Sequence, residues 1–147
     1  MLEMMVVIVI VGITGTITAG RVNALIVQSR IQRASTAVRN DLEAAFILAA
    51  RNRRPIHIEW NSAKMQLVVM DRSDVTAFRR TTLGMGGYGL RSTDVGLSSS
   101  PIEVYPNGMA SDTLNITFSR SGNVKRIRMS RTGLVQICGP VTATPPC

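Results

Sequence analysis

Two hydrophobic periods divide the chain. From Met4 to Gly20 no residue carries a charge, and as a helix this run of 17 residues spans about 25 Å, slightly less than the ~30 Å hydrocarbon core of a bilayer. After Gly20 the pattern turns amphipathic. Ile31, Ala34, Val38, Leu42, Ala45 and Ala49 recur at intervals of three and four, which marks one helical face, while Arg30, Arg33, Arg39, Asp41 and Glu43 fall mostly on the others. The pattern stops at Arg54-Pro55, because proline disfavours helical backbone in the residue before it. Residues 1 to about 53 therefore read as one long helix.

The period then shortens. Ile56, Ile58 and Trp60 alternate with His57 and Glu59, and Asn61-Ser62-Ala63-Lys64 turns the chain into the apolar run Met65 to Met70. Ile102 to Tyr105 ends at the turn signal Pro106-Asn107-Gly108. Thr113 to Phe118, Val124 to Ser130 and Leu134 to Cys138 are further short strands, separated by Ser121-Gly122-Asn123 and Arg131-Thr132-Gly133. Residues 84–100, rich in Gly and Ser, read as a loop. Closely spaced strands with Gly/Asn turns predict an antiparallel meander, and one helix followed by strands is an α+β arrangement.

The N-terminal run begins with a carboxylate, Glu3. A secretory signal begins with basic residues, so it fits poorly. An ionisable residue in a membrane-grade helix is costly and has a partner. No basic residue precedes Glu3, and Arg21 stands about 27 Å along the helix. The partner is therefore expected from another molecule, in an assembly where such helices pack side by side.

At these residues the chain resembles a family. Leu2 to Ile13 (LEMMVVIVIVGI) is similar to the N-terminal signature of type IV pilins and type II secretion pseudopilins. Leu42 to Ile58 (LEAAFILAARNRRPIHI), Val104 to Phe118 (VYPNGMASDTLNITF) and Ile127 to Ile137 (IRMSRTGLVQI) resemble the helix end, the aromatic-Pro-x-Gly turn and the closing hairpin of the GspH/FimT group. The resemblance implies a pilin-like fold with residues 1–20 as transmembrane and filament-core helix, 21–53 as its amphipathic continuation and 54–147 as a β-rich head. It implies a non-enzymatic minor pilin or pseudopilin, single-pass in the bacterial inner membrane with its head in the periplasm. Its partners are other pilin subunits and, on the precursor, a prepilin peptidase. Glu3 becomes an assembly contact for the methylated N-terminal amine of a neighbouring subunit. The family's basic leader and its Phe-Thr start are not in the sequence. A start at an internal methionine is therefore expected, with a leader ending in Gly-Phe-Thr encoded upstream.

Charge adds a second reading. The formal net charge is +8, and 15 of the 17 basic residues are arginines, whose forked donors suit carboxylates and phosphates. Arg120, Lys125, Arg126, Arg128 and Arg131 fall within 12 residues. They are a candidate phosphate-binding set, and some FimT-type minor pilins bind DNA through C-terminal arginines. No aromatic residue is interleaved in the cluster, so stacking on single strands is weakly supported. A single-pass membrane protein unrelated to pili, with its basic head on anionic lipid, is the third reading.

The remaining chemistry is thin. Cys138 and Cys147 close a short C-terminal loop, as a disulfide in an oxidising compartment or as two unrelated thiols. His57 is the one histidine and shares a strand face with Glu59, with no second histidine for a metal and no nucleophile beside it. Gly84-Met85-Gly86-Gly87-Tyr88-Gly89 lacks the Lys-Ser/Thr of a phosphate loop. No cofactor, metal or catalytic residue is expected.

Overall fold

The computed structural model describes residues 2–73 and 77–139. Within the helix the side chains of residues 2–4, 6 and 9–21 are outside the described set. The side chain of Glu3 and all of Cys147 therefore fall outside it.

A single helix, α1 (Leu2–Asn52), runs 51 residues, or about 77 Å. It ends where the sequence places the end. Arg53 takes a left-handed backbone, φ 53°, and Pro55 follows without an N–H to continue the ladder. The six positions picked out by their spacing (Ile31, Ala34, Val38, Leu42, Ala45 and Ala49) are all buried to 1% exposure or less. Three of them are alanines, which let the sheets approach the helix axis closely. Leu42, fully enclosed, is a position where truncation to alanine costs about 2–5 kcal/mol.

The strands form two antiparallel sheets rather than one meander. The first has the order β3 (Ala77–Thr82), β2 (Gln66–Asp71), β1 (Ile56–Asn61), β5 (Ile102–Val104). The second has the order β4 (Val95–Leu97), β6 (Leu114–Arg120), β7 (Asn123–Met129), β8 (Val135–Cys138). The division arises because β5 crosses back to pair with β1, setting Ile56 opposite Val104 and Ile58 opposite Ile102. Both sheets pack on α1, and their inner faces share one cluster with it. Ile56, Ile58, Leu67 and Val69 come from the first sheet; Leu114, Ile116, Phe118, Ile127 and Met129 come from the second. Phe118 is the largest of the fully buried side chains, in keeping with a core built mainly of aliphatic groups.

Three expectations are corrected. The segment 84–100 is not all loop, since Ser92–Asp94 forms a 3-10 turn and Val95–Leu97 is β4. Strand β3 stands where no strand was expected. It is an edge strand with Phe78, Arg79 and Arg80 all exposed, so it shows no alternation to read. Asp41 does not lie on the solvent face of the helix. It is 1% exposed, accepts a hydrogen bond from the Thr81 hydroxyl and presents its other oxygen to the Arg79 guanidinium. It thereby ties the helix to β3.

Below Val27, which still packs partly on the core, the described apolar side chains of the helix lie open. Met5, Val7, Ile8, Val22, Leu25 and Ile26 are all exposed. A run of large apolar side chains left open to water calls for a partner surface or a membrane. Among the described residues no helix is long and apolar enough to cross a membrane. The side chains of 9–21, on which the transmembrane expectation rests, lie outside that set.

Candidate functional site

The C-terminal basic cluster does not stay together. Strand alternation puts Arg126 and Arg128 on the outer face of β7, beside Gln136 and Cys138 of β8 and Asn115 and Thr117 of β6. Ile127 and Met129 between and after them point into the core. Lys125, one residue out of phase, shares the face of Ile127 near the end of the hairpin. Arg131 sits in the turn after β7, exposed, 3.4 Å from Asp112. The Asp112 carboxyl lies below its ordinary value, first because it accepts the Thr113 amide N–H at 2.7 Å and then because of Arg131.

Arg120 is committed elsewhere. Its Nη1 donates to the Gly89 carbonyl at 2.9 Å and lies 3.7 Å from the Asp94 carboxylate. Asp94 is buried and also accepts the Arg91 amide N–H at 2.9 Å, which caps the 3-10 turn. This brings Arg120 to a cleft of about 530 Å³ between the helix and the glycine-rich loop, lined by Arg30, Arg33, Arg91, Arg120, Tyr88 and Gly89. Sequence reading missed Arg30, Arg33 and Arg91 as site residues. The usable signal was positional. Arg30 and Arg33 flank Ile31, the first buried helix position, and Arg91 follows the glycine run.

The glycine-rich loop is shaped by packing rather than by phosphate chemistry. A Cβ on Gly87 would sit 2.0 Å from the Thr82 carbonyl oxygen, and Gly89 takes φ +68°. The loop closes on itself through the N–H groups of Gly87 and Gly89, which both donate to the Gly84 carbonyl.

His57 pairs across strands. The register sets it opposite Glu103 of β5, and its Nε2 lies 3.1 Å from the Glu103 Oε1. The Tyr105 hydroxyl donates to the other Glu103 oxygen at 2.9 Å. That bond is the main reason the Glu103 carboxyl lies below its ordinary range, opposed by partial burial and helped by Arg72 and His57. The same bond raises the Tyr105 phenol. The cluster is a cross-strand polar tie, and among the described residues no group of side chains is placed to hold a metal ion.

Cys138 ends β8 and is not a free thiol. The other cysteine of the sequence, Cys147, is outside the described residues.

Comparison with solved structures places this architecture. The type IV minor pilin FimU of Pseudomonas aeruginosa, in two crystal forms, superposes with TM-scores of 0.58 and 0.60 at 15% identity, over 75% of this chain and 97% and 92% of FimU. The minor pseudopilin EpsH of the Vibrio cholerae type 2 secretion system superposes with a TM-score of 0.54 at 13% identity, over 75% of this chain and 97% of EpsH. No protein-family model matches the chain, and no curated protein matches it. The likeness is one of fold: a long N-terminal helix packed on an antiparallel head, the pilin-like α+β arrangement expected from the sequence.

Proposed function

We propose that the chain is a non-enzymatic minor pilin or pseudopilin subunit, anchored by residues 1–20 in a bacterial inner membrane and assembled through its helix into a pilus or secretion pseudopilus. The observation that carries this reading is the division of α1. Its upper half is buried against both sheets, while the apolar side chains described in its lower half, from Met5 to Ile26, are left exposed. A subunit built to pack helix against helix has this form, and the folds of FimU and EpsH support it. Glu3 then pairs in trans with the N-terminal amine of a neighbour, after a prepilin peptidase has processed the precursor. The head occupies the periplasm, where Cys138 pairs with Cys147.

The experiment is Glu3→Ala in the native host. The variant is expected to remain in the membrane fraction and to drop out of sheared filaments or of cross-linked pseudopilus complexes. Incorporation at the normal level would overturn the assembly role of Glu3.

A second reading keeps DNA as a partner, through the outward pair Arg126 and Arg128 on β7. On this reading Arg126→Glu with Arg128→Glu abolishes duplex binding. The neutral pair Arg126→Gln with Arg128→Gln lowers the slope of log K against log salt by about 2. Unchanged binding in both variants would remove it.

A further inference from the structure

The arginine cleft is the most strongly charged concavity described on the head. Four guanidinium groups line it against one nearby carboxylate, Asp94, which lies 3.7 Å from Arg120. Among the described residues no carboxylate stands within ion-pair distance of Arg30, Arg33 or Arg91. Two of the four lie beside the same residue. Arg120 donates to the Gly89 carbonyl, and a Cβ built on Gly89 would lie 3.3 Å from Arg30 Nη1. Holding like charges together in a concave wall is unfavourable until an anion sits among them, and such a wall focuses the field that draws one in. Guanidinium forks meet phosphate oxygens two at a time.

The surroundings point to the source of the phosphate. The cleft runs into a second groove of about 410 Å³ that shares Arg30 and Arg33 and continues along the helix over Ser29, Ile26, Leu25 and Val22. The last three are exposed apolar side chains. Along the helix axis one surface is therefore apolar first and cationic next, within about three to four turns. This is the order in which a bilayer presents acyl chains and then phosphates. A nucleic-acid backbone would leave the apolar part uncovered.

We propose that the cleft binds the phosphate of an anionic phospholipid headgroup. Arg30 and Arg33 reach it from the helix, Arg91 and Arg120 from the head, and Val22, Leu25 and Ile26 rest at the acyl boundary. The subunit before assembly is thus held upright by its head as well as by its helix, and entry into a filament means leaving that lipid. The inference rests on the membrane anchoring proposed above.

The test uses the full chain in non-ionic detergent. Dihexanoyl phosphatidylglycerol is titrated in and backbone amide shifts are followed by NMR. Saturable shifts are expected at residues 86–91. Arg30→Gln with Arg33→Gln should weaken binding by about tenfold or more, with amide positions outside the cleft unchanged. Arg91→Gln should weaken it independently, and Arg126→Gln with Arg128→Gln should leave it as it was. Absence of saturable shifts would overturn the proposal, and so would equal affinity for dihexanoyl phosphatidylcholine. Inorganic phosphate binding as tightly as the lipid would reduce the cleft to a free-anion site. Displacement of the lipid by a short duplex of higher affinity would reassign it to DNA. Recovery of the native protein from cells without detergent would remove the anchor reading, whereas the titration reports on the cleft alone.

Discussion

The two arginine surfaces of the head are assembled in opposite ways. The C-terminal group is dense in sequence, with Arg120, Lys125, Arg126, Arg128 and Arg131 inside 12 residues, and dispersed in space. The period-two alternation of β7 keeps Arg126 and Arg128 on one face and sends Lys125 to the other, while Arg120, at the end of β6, reaches Asp94 and Arg131, in the turn after β7, reaches Asp112. The cleft group is sparse in sequence and concentrated in space, drawn from α1, the segment before the 3-10 turn and the end of β6. Charge density along a chain is thus a poor guide to charge density on a surface when the residues lie on a strand. What makes a site is the set of supports that bring distant side chains together, and these differ between the two surfaces. Each carboxylate takes up one backbone N–H and one arginine, but Asp94 does so buried and Asp112 half exposed.

That contrast is open to a direct break. Asp94→Ala leaves the Arg91 amide without its acceptor and Arg120 without its nearest counter-charge. A loss of about 2–3 kcal/mol in thermal unfolding is expected, together with loss of the ordered cleft. Asp112→Ala, on the open surface, should change the melting temperature little. Equal effects of the two would mean that both arginine surfaces rest on equally weak supports. A smaller effect is expected at Gly89. With φ +68° and Arg30 against it, Gly89→Ala should cost about 1–2 kcal/mol through backbone strain and displace Arg30. Thermal unfolding reads the first, and the amide shifts of the loop read the second. Stability unchanged in Gly89→Ala would show that the loop can relax without it.

Much of the fold was legible in the residues, and the cleft was not. The buried helix face was readable because its spacing is local: each of its six positions from Ile31 to Ala49 is enclosed by the sheets. Strands β1, β2, β6 and β7 were readable for the same reason, and the turn at Gly108, φ +81°, followed from Pro-Asn-Gly. Strand β3 was hidden because an edge strand can carry polar groups on both faces. Asp41 was hidden because its burial depends on Thr81, forty residues away on that same unreadable strand. The split into two sheets depends on β5 choosing β1 as its partner, and that choice is made by the packed core rather than by any local pattern. The cleft combines these difficulties. Arg30 and Arg33 look like ordinary solvated helix arginines until the fold brings Tyr88, Gly89 and Arg91 alongside them.

The smallest expected effect sharpens the comparison from the side of the weaker support. The Asp112 carboxyl is held below its ordinary value of 3.8 chiefly by the Thr113 N–H and only then by Arg131. A carboxyl lowered in the folded state contributes stability that is present above the unfolded value and disappears as pH falls through the lowered one. Arg131→Gln should therefore move the Asp112 carboxyl only part of the way back towards 3.8, because the backbone amide stays in place. The acid-side loss of stability from this group should persist in that variant and vanish only in Asp112→Asn. A carboxyl carbon titration by NMR from about pH 2 to 6 resolves the step. If Arg131→Gln restored the full ordinary value, the ion pair would be the real fastening of that turn. Arg131 would then be as fixed as Arg120, and the distinction between a held and a solvated arginine would fail at this position. If the carboxyl stays low, Arg131 is a solvated neighbour of a turn that the backbone already holds. Of the two arginines compared, the one that the fold itself holds is then Arg120.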